Sequence, residues 1–209
     1  MTQAKQDRIT DRDALHEYYG EPVAMAVKCE FDSLDAHHRF FIQHSPFLCL
    51  AGAGRDGQPS VSPKGDAPGF VKVLDDKHLL LPDRIGNKKV ETFEHLLENP
   101  KVALVFMVPG IKEVLRIWGE AEIRRDPELL DQVRGRGKRP PAALLIRITK
   151  AYFHCGKSVI RSRLWDPASQ ENASKFPPFG CVIRDQGQVK ESAEALQADM
   201  ERRYRELLY

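Results

Sequence analysis

The sequence predicts a mainly β fold, a small antiparallel barrel of about six strands with helices inserted between them. Short apolar runs are joined by tight-turn signals, Asp56-Gly57 after the run 47–53 and Pro109-Gly110 after the run 102–108. Helical patterns interrupt the hairpins only occasionally, which excludes an alternating doubly wound sheet. The longest candidate strand, 114–124, places Leu115, Ile117, Gly119, Ala121 and Ile123 on one side.

Taken in order, residues 11–19 read as a short helix closed by Gly20 and Pro22, and Ser33 as the cap of a second over 34–44. A hairpin follows, 47–53 with 59–64, and its return strand points Ser60, Ser62 and Lys64 to one face. Residues 70–74 and 78–81 form another hairpin. A helix over 88–98, with Val90, Phe93, Leu96 and Leu97 on one face, stops at Asn99-Pro100. Strands 102–108 and 114–124 come next, then a helix from Asp126-Pro127 to about Val133. A last strand spans 143–153 and a helix 156–165; the Pro-rich stretch to Gly180 reads as loop, and 192–208 as a terminal helix.

At 209 residues the chain supports one substantial core. It reads as a single domain, 1–209, with a barrel core over 31–165 and helical appendages over 1–30 and 179–209. A formal net charge of +2 gives no global field for nucleic acid. The run Arg134-Gly135-Arg136-Gly137-Lys138-Arg139 lacks interleaved aromatics and reads as a solvated loop. Cys29, Cys49, Cys155 and Cys181 include no close pair, so neither a zinc ribbon nor a disulfide framework is expected. Residues 1–7 lack the apolar core of a secretory signal, and no apolar run approaches the roughly twenty residues that span a bilayer. A cytoplasmic protein without membrane partners is the expectation.

The segment Leu80-Leu81-Pro82-Asp83-Arg84-Ile85-Gly86-Asn87-Lys88-Lys89-Val90 carries most of the functional signal. Asn87 can cap the helix that follows, which puts Lys88 and Lys89 in its first turn, where acidic residues are preferred. An anion docked there would resolve the mismatch, with Arg84 adding a forked contact to phosphate oxygens. The alternative is that all three side chains point into water; the dipole mismatch favours the anion.

A second cluster spans His154 to Trp165. Lys157 and Arg161 are four apart on one helix face, and Trp165 offers a flat ring surface; solvated cations on an amphipathic helix are the alternative. His154 beside Cys155 does not make a nucleophilic dyad, because neighbours on a strand face opposite ways. His37-His38 lacks a third ligand at metal-binding spacing, so no metal site is expected.

In order, Ser62-Pro63-Lys64-Gly65-Asp66, Gly69-Phe70-Val71, Pro82-Asp83-Arg84-Ile85-Gly86-Asn87, Glu98-Asn99-Pro100 with Val102, Pro109-Gly110, His154-Cys155-Gly156-Lys157 and Arg161-Ser162-Arg163-Leu164-Trp165 resemble the pyridoxamine 5'-phosphate oxidase-like FMN-binding split-barrel family. The resemblance covers residues 31–178 and is nearest to a bacterial subgroup of FMN-dependent enzymes. It implies a six-stranded antiparallel split barrel and a homodimer with two FMN sites at the subunit interface. Arg84, Asn87, Lys88 and Lys89 would hold the flavin phosphate. Ser62, Pro63, Lys64, Leu81, Pro82 and Asp83 would line the ribityl chain and ring, and the partner subunit would contribute from around His154, Lys157 and Arg161.

The activity so implied is an FMN-dependent oxidoreductase acting on a small molecule, with His154 the candidate proton donor. Two alternatives stand beside it: a non-catalytic carrier of flavin, F420 or haem, and, more remotely, a nucleic-acid module using the basic loop. The chain departs from true pyridoxamine phosphate oxidases at Arg161-Ser162-Arg163, where those enzymes carry Arg-x-His, which puts vitamin B6 oxidation in doubt.

Overall fold

The computed structural model describes residues 8–209. The chain divides into two compact units, Met1–Glu30 and Phe31–Tyr209. Residues 1–7, read above as no signal sequence, lie outside the described residues. In the first unit α1 (Arg12–Tyr19) forms where expected: the Asp11 carboxylate accepts from the Ala14 amide at 2.9 Å, and Gly20 ends the helix at φ 74°. A second short helix, α2 (Ala24–Lys28), was not anticipated.

The second unit opens with α3 (Ala36–His44), which starts later than expected. Its cap is Asp35, not Ser33. The Asp35 carboxylate accepts from the His38 amide at 2.8 Å, while His38 Nδ1 accepts from the Asp35 amide at 3.2 Å, a reciprocal capping box with an imidazole as one acceptor. His38 is buried and stacks on Phe153, so its ring is committed to the fold.

Seven antiparallel strands then form one sheet in the order β2-β1-β5-β6-β7-β4-β3. They are β1 (Phe47–Ala53), β2 (Pro59–Gly65), β3 (Lys72–Val73), β4 (His78–Pro82), β5 (Lys101–Met107), β6 (Val114–Arg124) and β7 (Ala143–His154). They correspond to the seven runs placed above, one more than the six of the expected barrel, and β3 keeps only two residues of the hairpin arm placed at 70–74.

Alternation puts Leu48, Leu50, Leu104, Phe106, Leu115 and Ile117 on the inner face, where they meet Ile42, Leu79, Leu81, Leu144 and Ile146. Fully burying each such side chain is worth about 1.5–3 kcal/mol. β4 is covered on both faces: Leu80 points the other way, into a smaller cluster with Leu130, Val133 and Ala143. That cluster includes α5 (Pro127–Asp131) and the segment after it.

Two features curl the sheet. β6 and β7 pair along their whole length, with a bulge at Trp118/Gly119. A Cβ on Gly119 would lie 2.5 Å from the Arg147 carbonyl oxygen, so only glycine permits the close approach. β5 occupies β6 between Leu115 and Glu120, whereas β4 occupies β7 between Ala143 and Arg147, beside the other half of β6. β2, at one edge of the sheet, and β4, next to the other edge strand β3, are therefore not hydrogen-bonded to each other; side chains join β2 to the residue after β4 instead, Lys64 Nζ lying 3.6 Å from Asp83 Oδ1. Pro63 sits on the β2 edge and blunts it. The architecture is a mainly antiparallel split barrel, open along that line.

The remaining helices are α4 (Glu91–Glu98), α6 (Lys157–Ser162), α7 (Phe179–Gly187) and α8 (Ala193–Glu206), with a 3-10 helix over Pro167–Lys175. The 3-10 helix occupies the stretch expected to be loop, and α7 begins at its end, within the helical appendage expected over 179–209. The prolines of that stretch mislead because Pro167 opens the 3-10 helix and Pro178 precedes α7, positions where no amide donor is lost. α7 packs on α8, and Gly180 is required there, since a Cβ would stand 2.1 Å from the Ala193 carbonyl oxygen. Among the described residues, no helix is long and apolar enough to cross a membrane.

Candidate functional site

Along the open line of the barrel lies a cleft of about 900 Å³. One wall is β2, which presents Ser62, Pro63 and Lys64; the other is the end of β4 and the following loop, with Pro82, Asp83, Arg84, Asn87, Lys88 and Lys89. Nine of the residues singled out from the sequence thus line one cavity. The expected alternation on β2 places Ser60 and Ser62 on the side of Lys64, and the buried Ser60 hydroxyl lies 3.1 Å from His95 Nδ1 on α4. Leu81 is a correction: it is 1% exposed and belongs to the core, because its β4 position faces inward.

The helix after the turn is a second correction. α4 starts at Glu91, three residues later than read, and Val90 is its N-cap. Asn87 does not cap it: the Asn87 side-chain oxygen accepts from the Lys89 amide at 3.0 Å, closing an Asx turn in which Lys88 takes φ 64°. The first turn of α4 carries Glu91 and Glu94, the residues its dipole prefers. The two lysines therefore lie on the loop, Lys88 exposed and Lys89 Nζ 3.6 Å from Glu91, and the clash with the macrodipole does not arise. Leu97, expected on the packed face, is exposed, and Thr92 and Leu96 are the buried pair.

What the loop does provide is a concentration of cations held by specific partners. Arg84 Nε donates to Asp66 Oδ2 at 2.5 Å and its Nη1 donates to the Val133 carbonyl at 2.8 Å. Asp66 is almost fully buried. Burial opposes its ionisation, but hydrogen bonds from the Tyr209 hydroxyl, the Ala67 amide and Arg84, with the charge of Arg84, outweigh burial and hold its carboxyl below the usual range. The Tyr209 phenol is pushed up, chiefly by its hydrogen bond to Asp66. Lys64 and Asp83 form a half-buried pair across the open line.

The second cluster lies elsewhere. His154 ends β7 and is exposed, as are Lys157 and Arg161 on α6. β4 pairs with β7 at Ala143, the opposite end, so a twelve-residue strand of roughly 36 Å separates this group from Arg84 within one chain. Trp165 is anchored by its indole N–H to the Ile111 carbonyl at 2.7 Å.

The basic loop has Arg134, Arg136, Lys138 and Arg139 exposed, as expected, but it is also structured. Arg136 and Gly137, both at positive φ, form the turn of a tight hairpin closed by Gly135 and Lys138. Arg134 and Arg139 pair with Asp131, and Arg136 and Lys138 engage Tyr209, so the loop is tied down and not merely solvated. Asp66, Val133 and Tyr209 are the participants that sequence reading missed. Asp66 stood in a quoted motif without a role, and 143 residues separate Tyr209 from it, a pairing with no local pattern.

A protein-family model described as pyridoxamine 5'-phosphate oxidase matches residues 34–155, from the turn before α3 to the end of β7. No curated protein matches the sequence. Among solved structures the chain is similar to HupZ from Group A Streptococcus, at 19% identity and a TM-score of 0.48 over 57% of this chain and 93% of that one. It is also similar to a candidate pyridoxamine 5'-phosphate oxidase from Lactobacillus delbrueckii, at 26% identity and TM-score 0.46 over 58% and 95%. An FMN-binding protein from Syntrophomonas wolfei matches at 16% identity and TM-score 0.41 over 55% and 82%.

Proposed function

The chain belongs to the pyridoxamine 5'-phosphate oxidase family, and from that premise we propose that it binds FMN non-covalently in the cleft between β2 and the loop after β4. The observation that carries the reading is the set of cations on that loop. Lys88 and Lys89 stand beside Arg84, whose guanidinium keeps N–H donors beyond those used on Asp66 and Val133. Such donors suit a phosphate monoester. The cleft lies within the roughly 300–1,000 Å³ of cofactor sites, and Phe70 and Pro82 give it apolar wall for a ring.

The second half of the site comes, in this proposal, from a partner subunit of a homodimer, whose His154, Lys157 and Arg161 would complete the cleft. Half-exposed Trp118 and Tyr152, stacked with centroids 5.3 Å apart on the outer sheet face beneath Arg116 and Lys150, offer an aromatic and cationic surface for such an interface. When bound, FMN would supply hydride transfer to or from a small organic substrate, the chemistry of an oxidoreductase. The chain's own residues would fix the phosphate, exclude water along the barrel opening and, through His154, hold a proton near the substrate. Vitamin B6 oxidation is not proposed: Arg163, at the position of the oxidases' histidine, is a left-handed helix cap whose guanidinium is tied to Asp166.

One observation favours a second reading, a carrier of flavin or F420 without turnover. Among the described residues the cleft wall includes no histidine or cysteine, and Asp83 is paired with Lys64. Two measurements decide. Titration with FMN and riboflavin should show a preference for FMN that Arg84→Ala with Lys88→Ala reduces at least tenfold while riboflavin binding is little changed; equal losses would refute the phosphate site. Bound flavin that bleaches with NADH or NADPH and recovers in air supports turnover; flavin that does neither supports the carrier.

A further inference from the structure

We propose that Tyr209 is a positioning residue for the cofactor phosphate, acting through Asp66 to fix the guanidinium of Arg84. The inference rests on the reading of Arg84 as a phosphate ligand. Four contacts seat Tyr209. Its hydroxyl donates to Asp66 Oδ1 and its main-chain oxygen accepts from Lys138 Nζ at 2.8 Å. The Arg136 guanidinium lies 4.7 Å above its ring, and the ring enters a notch at Gly135. A Cβ on Gly135 would stand 2.8 Å from the ring and 2.9 Å from Arg84 Cζ, so glycine there is what lets the ring and the guanidinium share one space.

The chemistry of Asp66 makes the arrangement directional. A buried carboxylate is tolerated only when its oxygens are hydrogen-bonded. Oδ1 accepts from Tyr209 and from the Ala67 amide at 2.7 Å, which leaves Oδ2 for Arg84 Nε. Nε and one Nη1 hydrogen of Arg84 are thereby committed to Asp66 and Val133, and the other three of a guanidinium's five N–H donors remain for a ligand in the adjoining cleft. Without the phenol, Oδ1 loses a donor and the carboxylate can turn about its Cβ–Cγ bond, so Arg84 Nε loses its fixed acceptor and the guanidinium can rotate off the phosphate.

Tyr209→Phe keeps the ring in the Gly135 notch and removes only the donor. It should weaken FMN binding about tenfold, the scale of one hydrogen bond to a charged group, and leave riboflavin binding unchanged. In an Arg84→Ala background the same substitution should change nothing further, because its route to the phosphate is gone. Equal losses for FMN and riboflavin, or a tenfold loss that persists beside Arg84→Ala, would overturn the proposal. Wild-type protein without preference for FMN would instead overturn the phosphate reading. The seat itself is then read without flavin, from hydrogen exchange of the Arg84 Nε–H by NMR. Exchange at least tenfold faster in Tyr209→Phe supports the positioning role, and unchanged exchange refutes it.

Discussion

The two ends of β7 differ in how their charges are held. At the Ala143 end every acid beside the cleft has a cation: Asp66 with Arg84, Asp83 with Lys64, Glu91 with Lys89. At the His154 end, His154, Lys157 and Arg161 are exposed and form no ion pair among the described residues. One end is preorganised by the chain's own fold, which is what a binding site needs if ordering its side chains is not to be charged against the ligand. The other end is chemically equipped but unassembled, as half of a site shared between subunits would be.

Breaking the paired end should produce the largest effect. Asp66→Ala leaves the mostly buried Arg84 without its carboxylate and frees the Tyr209 hydroxyl. Removing one member of a buried pair costs about 3–5 kcal/mol, to be read from the urea midpoint. Lys157→Ala at the exposed end should shift stability by no more than about 0.5 kcal/mol. Similar losses at both ends would erase the distinction.

The same contrast explains what could be read from the chain. β6 occupies the expected residues and β1 differs in nothing, because period-two alternation and Asp-Gly or Pro-Gly turns are local signals. Ser62, Lys64, Arg84, Asn87, Lys88 and Lys89 line one cleft, as β2 and the turn after β4 each carry a polar cluster beside an apolar run. The start of α4 was not legible: Asn87 is as well suited to an Asx turn as to a cap, and local sequence does not choose between them. The resemblance puts Leu81 in the cleft, whereas its place on a strand covered on both faces puts it in the core. The network around Asp66 joins four distant segments and leaves no trace in any one of them.

A shared site sharpens the comparison at the level of binding. Arg84→Ala with Lys88→Ala and, separately, Lys157→Ala with Arg161→Ala should each lower FMN affinity roughly tenfold to a hundredfold, given about 1.5–3 kcal/mol for hydrogen bonds to a charged group. If the two sets serve one flavin across a dimer, mixing the two variants after unfolding and refolding should restore one intact site per mixed dimer. Tight FMN binding at up to a quarter of the sites in a one-to-one mixture is the expected titration; none at all would place both sets in the same subunit or remove the second from the site.

The smallest expected effect separates the ends by pH. His38 lies buried beneath Phe153, next to His154, and burial holds its imidazole below the ordinary value of 6.5, outweighing the attraction of Asp35. The unfolded chain therefore binds a proton more readily than the folded one once pH falls below about 6.5. Stability from this group is complete above that pH and declines as pH drops toward the folded value. Asp66 behaves differently. Its folded value lies below 3.8, so its contribution is intact above that pH and is lost only in stronger acid, as pH falls through the folded value. Between pH 7 and 5, then, the His154 end should weaken while the cleft end holds. His38→Gln keeps an acceptor for the Asp35 amide and removes the titration, so the gap in urea midpoint between wild type and variant should change in the variant's favour as pH falls from 7 to 5. A gap independent of pH would show that His38 titrates alike in both states, and that burial at this end carries no proton-linked cost.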